Sequence, residues 1–414
     1  MSFRQVDQRE RAGIDDLRSV VVLTPWFPNV PGERNGSFIY ESAAAIARKG
    51  VAVSVLACRP SIPAVPARWV PEWVRGEIDA QRFAESLGGG VVALKYPALP
   101  GGVLRSISNL SQRWRVKPAL EGLARQTRAS LIHAQTEGMA PIALEVARML
   151  QVPAIVTIHG INTDAGYLHA KAQRAILVPA LRDADRLVLV GQSLKDAFAP
   201  YVGRSDHVRV VYNGVQPPQR VRLTQVLTGT PARLVSVSNL HEGKGIELVL
   251  DALKLMDALG TRDWTYTIVG DGRERAALVE RALAHGLTDR VNFLGMQPHE
   301  KAIEILLDSD IFVLPSYREA FGIAYLEAMA CGLPTIGVRG QGPAAFIEHG
   351  LSGFLVEPHS ARAVADCLSE LLSHPESARR VGERARDRAQ DFSWDAHANR
   401  LMEVYREAIS ARRR

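Results

Sequence analysis

Short apolar runs alternate with amphipathic stretches along this 414-residue chain, and the alternation breaks once before it restarts. Runs of this kind, bounded by turn residues, read as buried parallel strands. The stretches between them read as the helices that parallel neighbours need as crossovers. Before the break the strands are expected at Val20–Leu23, Val51–Leu56, Val91–Leu94, Leu131–His133, Ala154–Ile158, Leu187–Val190 and Val208–Val211, with helices such as Phe38–Arg48 and Ala140–Leu150. After it they are expected at Leu234–Val237, Tyr266–Val269, Val291–Leu294, Ile311–Leu314, Thr335–Val338 and Gly353–Val356. The break is a Pro-, Gln- and Thr-rich stretch, Gln216–Pro231, and reads as a linker. The pattern predicts an α/β protein with two doubly wound, Rossmann-like domains. The first spans 1–217, the linker 218–231 and the second 232–392, followed by a closing helix over 393–414. Two such sheets leave a cleft, with ligands at the carboxyl ends of the strands.

Composition excludes several other classes. The hydrophobic share of 47% and aromatic share of 6% are those of a globular α/β chain. Cys58, Cys331 and Cys367 are widely spaced, which argues against a disulfide framework or a zinc site and fits a reducing cytoplasm. The N-terminus, with Arg4, Asp7, Arg9, Glu10, Arg11, Asp15 and Asp16, has no apolar segment of the signal-peptide kind, and no apolar run is long enough to span a bilayer. The net charge of +6 is uneven: between Lys95 and Arg128 lie Arg105, Arg113, Arg115, Lys117 and Arg125 against Glu121 alone. Leu99, Leu104, Ile107, Leu110 and Trp114 are interleaved with them. Such a stretch suits an anionic membrane surface, and equally a solvated helix face packed on a sheet. No nucleic-acid-binding motif accompanies the charge.

The chemistry concentrates in one window, Pro315-Ser316-Tyr317-Arg318-Glu319-Ala320-Phe321-Gly322-Ile323-Ala324-Tyr325-Leu326-Glu327. Glu319 follows a buried strand, and Glu327 lies inside the helix expected to open near Phe321. The backbone N–H groups of Phe321, Gly322 and Ile323 lie at that helix N-terminus, a ready anion site between two carboxylates. A nucleotide-sugar needs this set: a cradle for the diphosphate and carboxylates for the sugar and ribose hydroxyls. In Ser238-Asn239-Leu240-His241-Glu242-Gly243-Lys244-Gly245, after the first strand of the second domain, Lys244 is a point charge suited to a diphosphate. Asp308-Ser309-Asp310 and Asp183-Ala184-Asp185 imitate a metal-binding Asp-x-Asp, but each precedes a strand instead of ending one. No metal ligand set is assigned.

The window, extended through Ala328-Met329-Ala330-Cys331-Gly332, resembles the E-x7-E signature of the family 4 retaining glycosyltransferases. The resemblance is strongest over Leu234–Pro358 and looser over Val20–Val215. It implies the GT-B fold, with two Rossmann-like domains facing a central cleft, the acceptor on the first and the nucleotide half of the donor on the second. It further implies metal-independent transfer of a hexosyl group from a nucleoside-diphosphate sugar to a glycan or lipid-linked acceptor, with retained configuration. Polysaccharide or cell-envelope synthesis at the cytoplasmic face of a membrane would be the setting. By the same resemblance Glu319 and His159 meet the donor sugar, Lys244 the diphosphate and Glu327 the ribose. Gly36 approaches the phosphates, and Gly272 and Met296 flank the base. The family usually has Arg where this chain has Asn239, so either the leaving-group clamp is weaker here or Arg318 or Arg339 supplies that cation. The alternatives are a phosphorylase or nucleotide-sugar epimerase of the same fold, or a non-catalytic nucleotide-sugar-binding membrane scaffold.

Overall fold

The computed structural model describes residues 16–33, 35–62, 72–98, 105–160, 171–218, 220, 227–229 and 231–413. The N-terminal charge cluster up to Asp15, Leu99 and Leu104 of the basic stretch, and most of the linker lie outside these residues. The chain forms two compact units. One contains residues up to Val190, Leu194–Tyr212 and the chain from Trp394 onward; the other contains Gly191–Ser193 and Asn213–Ser393.

The strands of the first unit are β1 (Ser19–Thr24), β2 (Ala52–Ser61), β3 (Gly88–Pro97), β4 (Leu131–Ala134), β5 (Ala154–Ile158), β6 (Arg186–Leu189) and β7 (Val208–Val210). Those of the second are β8 (Ala232–Val237), β9 (Trp264–Val269), β10 (Val291–Gly295), β11 (Ile311–Val313), β12 (Thr335–Val338) and β13 (Phe354–Val356). Each expected strand is present. The sheet orders are β3-β2-β1-β4-β5-β6-β7 and β10-β9-β8-β11-β12-β13, and the pairings are parallel. Both orders reverse direction once, between β1 and β4 and between β8 and β11. The loops leaving two adjacent strands diverge at such a point and leave a crevice at the carboxyl ends.

Residues 105–126 show why the basic stretch admitted two readings. Helix Arg105–Gln126 buries Val116, Leu120 and Ala124, four residues apart, so one face is the packed helix of a layered domain. Leu110 and Trp114 stand off that face, 68% and 76% exposed. The charge is also more balanced than the local sequence suggests. Glu145, from helix Ala140–Leu150, pairs with Arg113 at 2.9 Å and Lys117 at 2.6 Å, and their hydrogen bonds hold its carboxyl below its ordinary value.

Both Asp-x-Asp sequences brace strand starts. Asp310 accepts from the Arg233 guanidinium at 3.0 and 3.1 Å and from the backbone N–H groups of Arg233 and Leu227 at 2.9 and 3.0 Å. Burial alone would raise its pKa, but these donors outweigh it and the net direction is down. Asp185 accepts from the Ala154 N–H at 2.8 Å and from Arg412 at 2.9 and 3.0 Å.

The closing helix, Trp394–Arg412, belongs to the first unit and packs Trp394, Leu401, Met402 and Tyr405 into its core. It also buries polar groups there. His397 donates from Nδ1 to the Tyr212 carbonyl at 2.7 Å, which leaves Nε2 to accept from the Ser42 hydroxyl at 2.7 Å. His133, fully buried on β4, meets the Tyr405 hydroxyl at Nδ1 and the Thr157 hydroxyl at Nε2, each at 2.6 Å. Burial lowers the pKa of His133 to about 3 and that of His397 to about 4, from 6.5. Between those values and 6.5 the unfolded chain takes up protons that the folded chain refuses. The stabilisation is therefore complete above pH 6.5 and fades as pH falls towards 3 to 4, by up to ~1.4 kcal/mol per pH unit per histidine. The expected outcome is a melting temperature that drops between about pH 6.5 and pH 4.5, with a shallower slope in His397→Gln. A flat profile in the parent protein would contradict buried neutral histidines.

Candidate functional site

In the second unit the loops leaving β8 and β11 are joined at one carbonyl. The Gly243 carbonyl accepts from the Tyr317 N–H at 2.9 Å and from the Ser316 hydroxyl at 3.0 Å. Two residues on, a Cβ on Gly245 would lie 2.2 Å from the Pro315 carbonyl oxygen, so only glycine lets the loops pass this closely. Lys244 sits between these two glycines. Its Nζ reaches the Glu319 carboxylate at 2.8 Å, with the side chains 15% and 14% exposed. Two sequence-predicted residues from separate loops are therefore in direct contact, at the sheet's reversal point.

Glu319 is held on its backbone as well as its side chain. Its N–H donates to Gln341 Oε1 at 3.1 Å, and its carbonyl accepts from the Gly342 N–H at 2.8 Å. Phe321 then drops into the core, 2% exposed, edge-on to Phe346 at 5.4 Å. Gly322 follows with φ 97°, and a Cβ there would meet the Tyr325 ring at 2.6 Å. The helix begins at Ile323 and runs to Ala330, two residues later than the sequence reading placed its start. Phe321 supplies an apolar anchor and Gly322 the turn that swings the chain into the helix. Ile323 is the first helical residue. Glu327 lies one turn in, and its Oε1 is 2.9 Å from His299 Nε2. A carboxylate only accepts here, so His299 donates from Nε2. His299 opens helix His299–Leu307 after β10 and was absent from the sequence-based site.

The remaining predicted residues separate into two groups. Gly272, after β9, approaches the first loop: a Cβ there would lie 2.2 Å from the Leu240 carbonyl oxygen. Met296 follows β10 at the sheet edge, two strands from β8, and is 51% exposed. Asn239 is exposed on the β8 loop. Arg339 is engaged with Glu357 at 3.1 Å, whereas the stem of Arg318 lies against Gly243, next to Lys244. A cavity of about 220 Å³ opens nearby, lined by Leu240, His241, Glu242, Glu247, Glu274 and Arg281 among others. Its three glutamates against Arg281 give it the wrong sign for a diphosphate.

In the first unit, His159 follows β5. Its Nε2 lies 2.7 Å from Gln135 Oε1, and its ring tilts over Phe38 at 4.6 Å. Phe38 is in the first turn of the helix that Gly36 caps, and a Cβ on Gly36 would fall 2.8 Å from the Phe27 nitrogen. His159 and the Gly36 turn are thus neighbours at the carboxyl end of this sheet. Arg59, 3% exposed, fixes the intervening loop, donating to Asn29 Oδ1 at 2.6 Å and the Gly76 carbonyl at 2.9 Å. Burial lowers its pKa and Glu33 acts in the opposite sense.

Comparison with known proteins agrees with this architecture. Residues 36–218 match the model for Glycosyltransferase Family 4, and residues 222–388 match the model for Glycosyl transferases group 1. A glycogen synthase of Mycobacterium tuberculosis is 28% identical over 295 residues, which is 69% of this chain and 70% of that protein. Among solved structures, a sucrose-phosphate synthase from Thermosynechococcus elongatus superposes with a TM-score of 0.74 at 20% identity, covering 95% of this chain and 100% of the other. HepE of Anabaena in complex with UDP-glucose superposes at 0.69 and 19% identity, covering 93% and 98%. One model covers most of each unit and together they take in every strand but β1: the chain belongs to the family 4 glycosyltransferases and is a glycosyltransferase of GT-B fold.

Proposed function

We propose that the chain transfers a hexosyl group from a nucleoside-diphosphate sugar to an acceptor hydroxyl, without a metal ion and with retention at the anomeric carbon. The observation that carries the donor class is the Lys244–Glu319 contact at the β8/β11 reversal, followed by the Ile323–Ala330 helix whose Glu327 pairs with His299. It combines a cation, a helix N-terminus and two carboxylates, the set required by a ligand with one anionic and two hydroxylic parts. The binding of UDP-glucose by the structurally similar HepE supports the same donor class.

In the reaction, the bond between C1 and the diphosphate oxygen lengthens and negative charge collects on the leaving group. Lys244 and the N–H groups near Gly322 and Ile323 oppose that charge, which grows towards the transition state, so their effect is on rate. The acceptor oxygen bonds to C1 on the face the diphosphate leaves, and the acceptor's proton passes to a diphosphate oxygen. Glu319 would hold donor-sugar hydroxyls and Glu327, oriented by His299, the ribose. Calorimetry with UDP, GDP, ADP and dTDP in EDTA tests this directly. One nucleotide is expected to bind, and Glu327→Ala to weaken it at least ~10-fold. Lys244→Ala is expected to lower turnover by ~100-fold or more, with an unchanged melting temperature. Near-parental turnover in Lys244→Ala, or no nucleotide bound by the parent, would sink the reading.

We place the acceptor at a membrane surface, as a lipid-linked glycan of polysaccharide or cell-envelope synthesis handled from the cytoplasmic side. No helix among the described residues is long and apolar enough to cross a membrane. What supports surface docking is Leu110 and Trp114, one turn apart and strongly exposed, beside the basic, exposed Arg115. An exposed apolar pair with a basic neighbour suits an anionic interface. Co-sedimentation with anionic vesicles should fall with salt and several-fold in Leu110→Ser/Trp114→Ser. Binding that ignores both changes would place any docking elsewhere.

A further inference from the structure

The polar groups inside the first unit form a chain that ends at His159. The Tyr405 hydroxyl lies 2.6 Å from His133 Nδ1, the Gln135 side-chain nitrogen 3.4 Å from the same atom, and Gln135 Oε1 2.7 Å from His159 Nε2. Tyr405, His133, Gln135 and Thr157 are all at most 4% exposed. His159 is half-buried, and its Nδ1 is buried with no hydrogen-bond partner among the described residues.

The proton positions follow from what each atom is able to do. An amide oxygen only accepts, so His159 carries its proton on Nε2. The Gln135 amide group then faces His133 Nδ1, which accepts from it and from Tyr405, and His133 donates from Nε2 to Thr157. The opposite Gln135 orientation would set its oxygen beside His133 Nδ1 and call for a proton on that atom, and the buried Tyr405 hydroxyl would then have no acceptor for its own proton among the described contacts. The first arrangement gives the Tyr405 proton its acceptor, with the 3.4 Å Gln135 contact the weaker of the two on Nδ1. Burial also keeps His159 neutral, with its pKa lowered to about 3. His159 is therefore a poor acid at neutral pH, and its free function is the Nδ1 lone pair.

We propose that Gln135 is a positioning residue that locks His159 in its Nε2–H form, so that Nδ1 stays an acceptor for a hydroxyl of a sugar bound at this end of the first unit's sheet. The identity of that ligand rests on the proposed function; the proton arrangement does not. Gln135 has no contact with the ligand on this account and acts only through the imidazole. Glutamate keeps an oxygen acceptor at that position, and leucine removes it.

The test is nitrogen-15 NMR of the full chain labelled at histidine, with the His159 signals assigned from His159→Gln. The parent is expected to show a protonated Nε2 and a bare Nδ1 at pH 7, and the Nδ1 shift should move when a sugar substrate binds. Gln135→Leu should convert His159 to a tautomer mixture and lower kcat by ~10-fold or more while nucleotide affinity stays within about twofold. Gln135→Glu should keep the Nε2–H form and recover most of the rate, which a purely structural role would not predict. A protonated Nδ1 in the parent, an unchanged tautomer in Gln135→Leu, or full turnover in Gln135→Leu despite a tautomer mixture would each overturn the proposal. The tautomer is read without substrate. A parent with the expected tautomer that transfers no sugar would instead count against the functional reading.

Discussion

The close passage of Gly243–Gly245 over Pro315–Tyr317 governs the site in the second unit. Buried parallel strands must satisfy their backbone groups on each other, and this fixes β8 beside β11. The loops that leave them then converge, and the Gly243 carbonyl takes two donors from the facing loop. Inside the sheet, Ser236 adds a hydroxyl that meets the Tyr266 phenol at 2.7 Å and the Val313 carbonyl, so β8, β9 and β11 are tied by side chain as well as ladder. Lys244 and Glu319 meet because their backbones have no freedom to separate. The precision of the side chains is inherited from the hydrogen bonds beneath them.

The first unit is organised differently. Its end of the sheet carries buried neutral imidazoles and a buried guanidinium in place of an ion pair. His133, His397 and Arg59 each answer a specific set of carbonyls and hydroxyls, and the closing helix provides Tyr405 and His397 to that network. The closing helix thereby fixes groups on β4 and on helix Ser37–Arg48. Burying polar groups this way costs stability at low pH and returns a unique arrangement, since a half-satisfied network is worse than none.

Most of the architecture was legible because buried parallel strands leave a coarse signal: a short apolar run cannot be moved without exposing it. Glu319 and Lys244 were singled out from their places after β11 and β8, and the sheet order brings those two loop residues into contact. His299 was not. A single histidine 28 positions before Glu327 has no periodicity that marks it as a partner, and only the fold brings the two together. Gln135 and His133 were hidden for the same reason, as isolated polar residues at a strand end whose partners lie on distant elements. The helix start was read two residues early because the apolar Phe321 was counted as helix, whereas Gly322 in the left-handed region separates it from Ile323. Residues 105–126 were ambiguous because the helix has two apolar faces, and the sequence does not say which one finds the sheet.

A bare ammonium in an empty crevice would hold any stray phosphate. Here Lys244 already has a carboxylate at 2.8 Å, so the resting site is close to self-neutral. An anion that arrives alone must draw the ammonium away and leave Glu319 stranded and half-desolvated. A ligand that brings hydroxyl donors along with its charge compensates both partners at once. On the proposed reading the pair works as an entry test that admits nucleotides but ranks the intact sugar conjugate above its own spent diphosphate, and both above free phosphate.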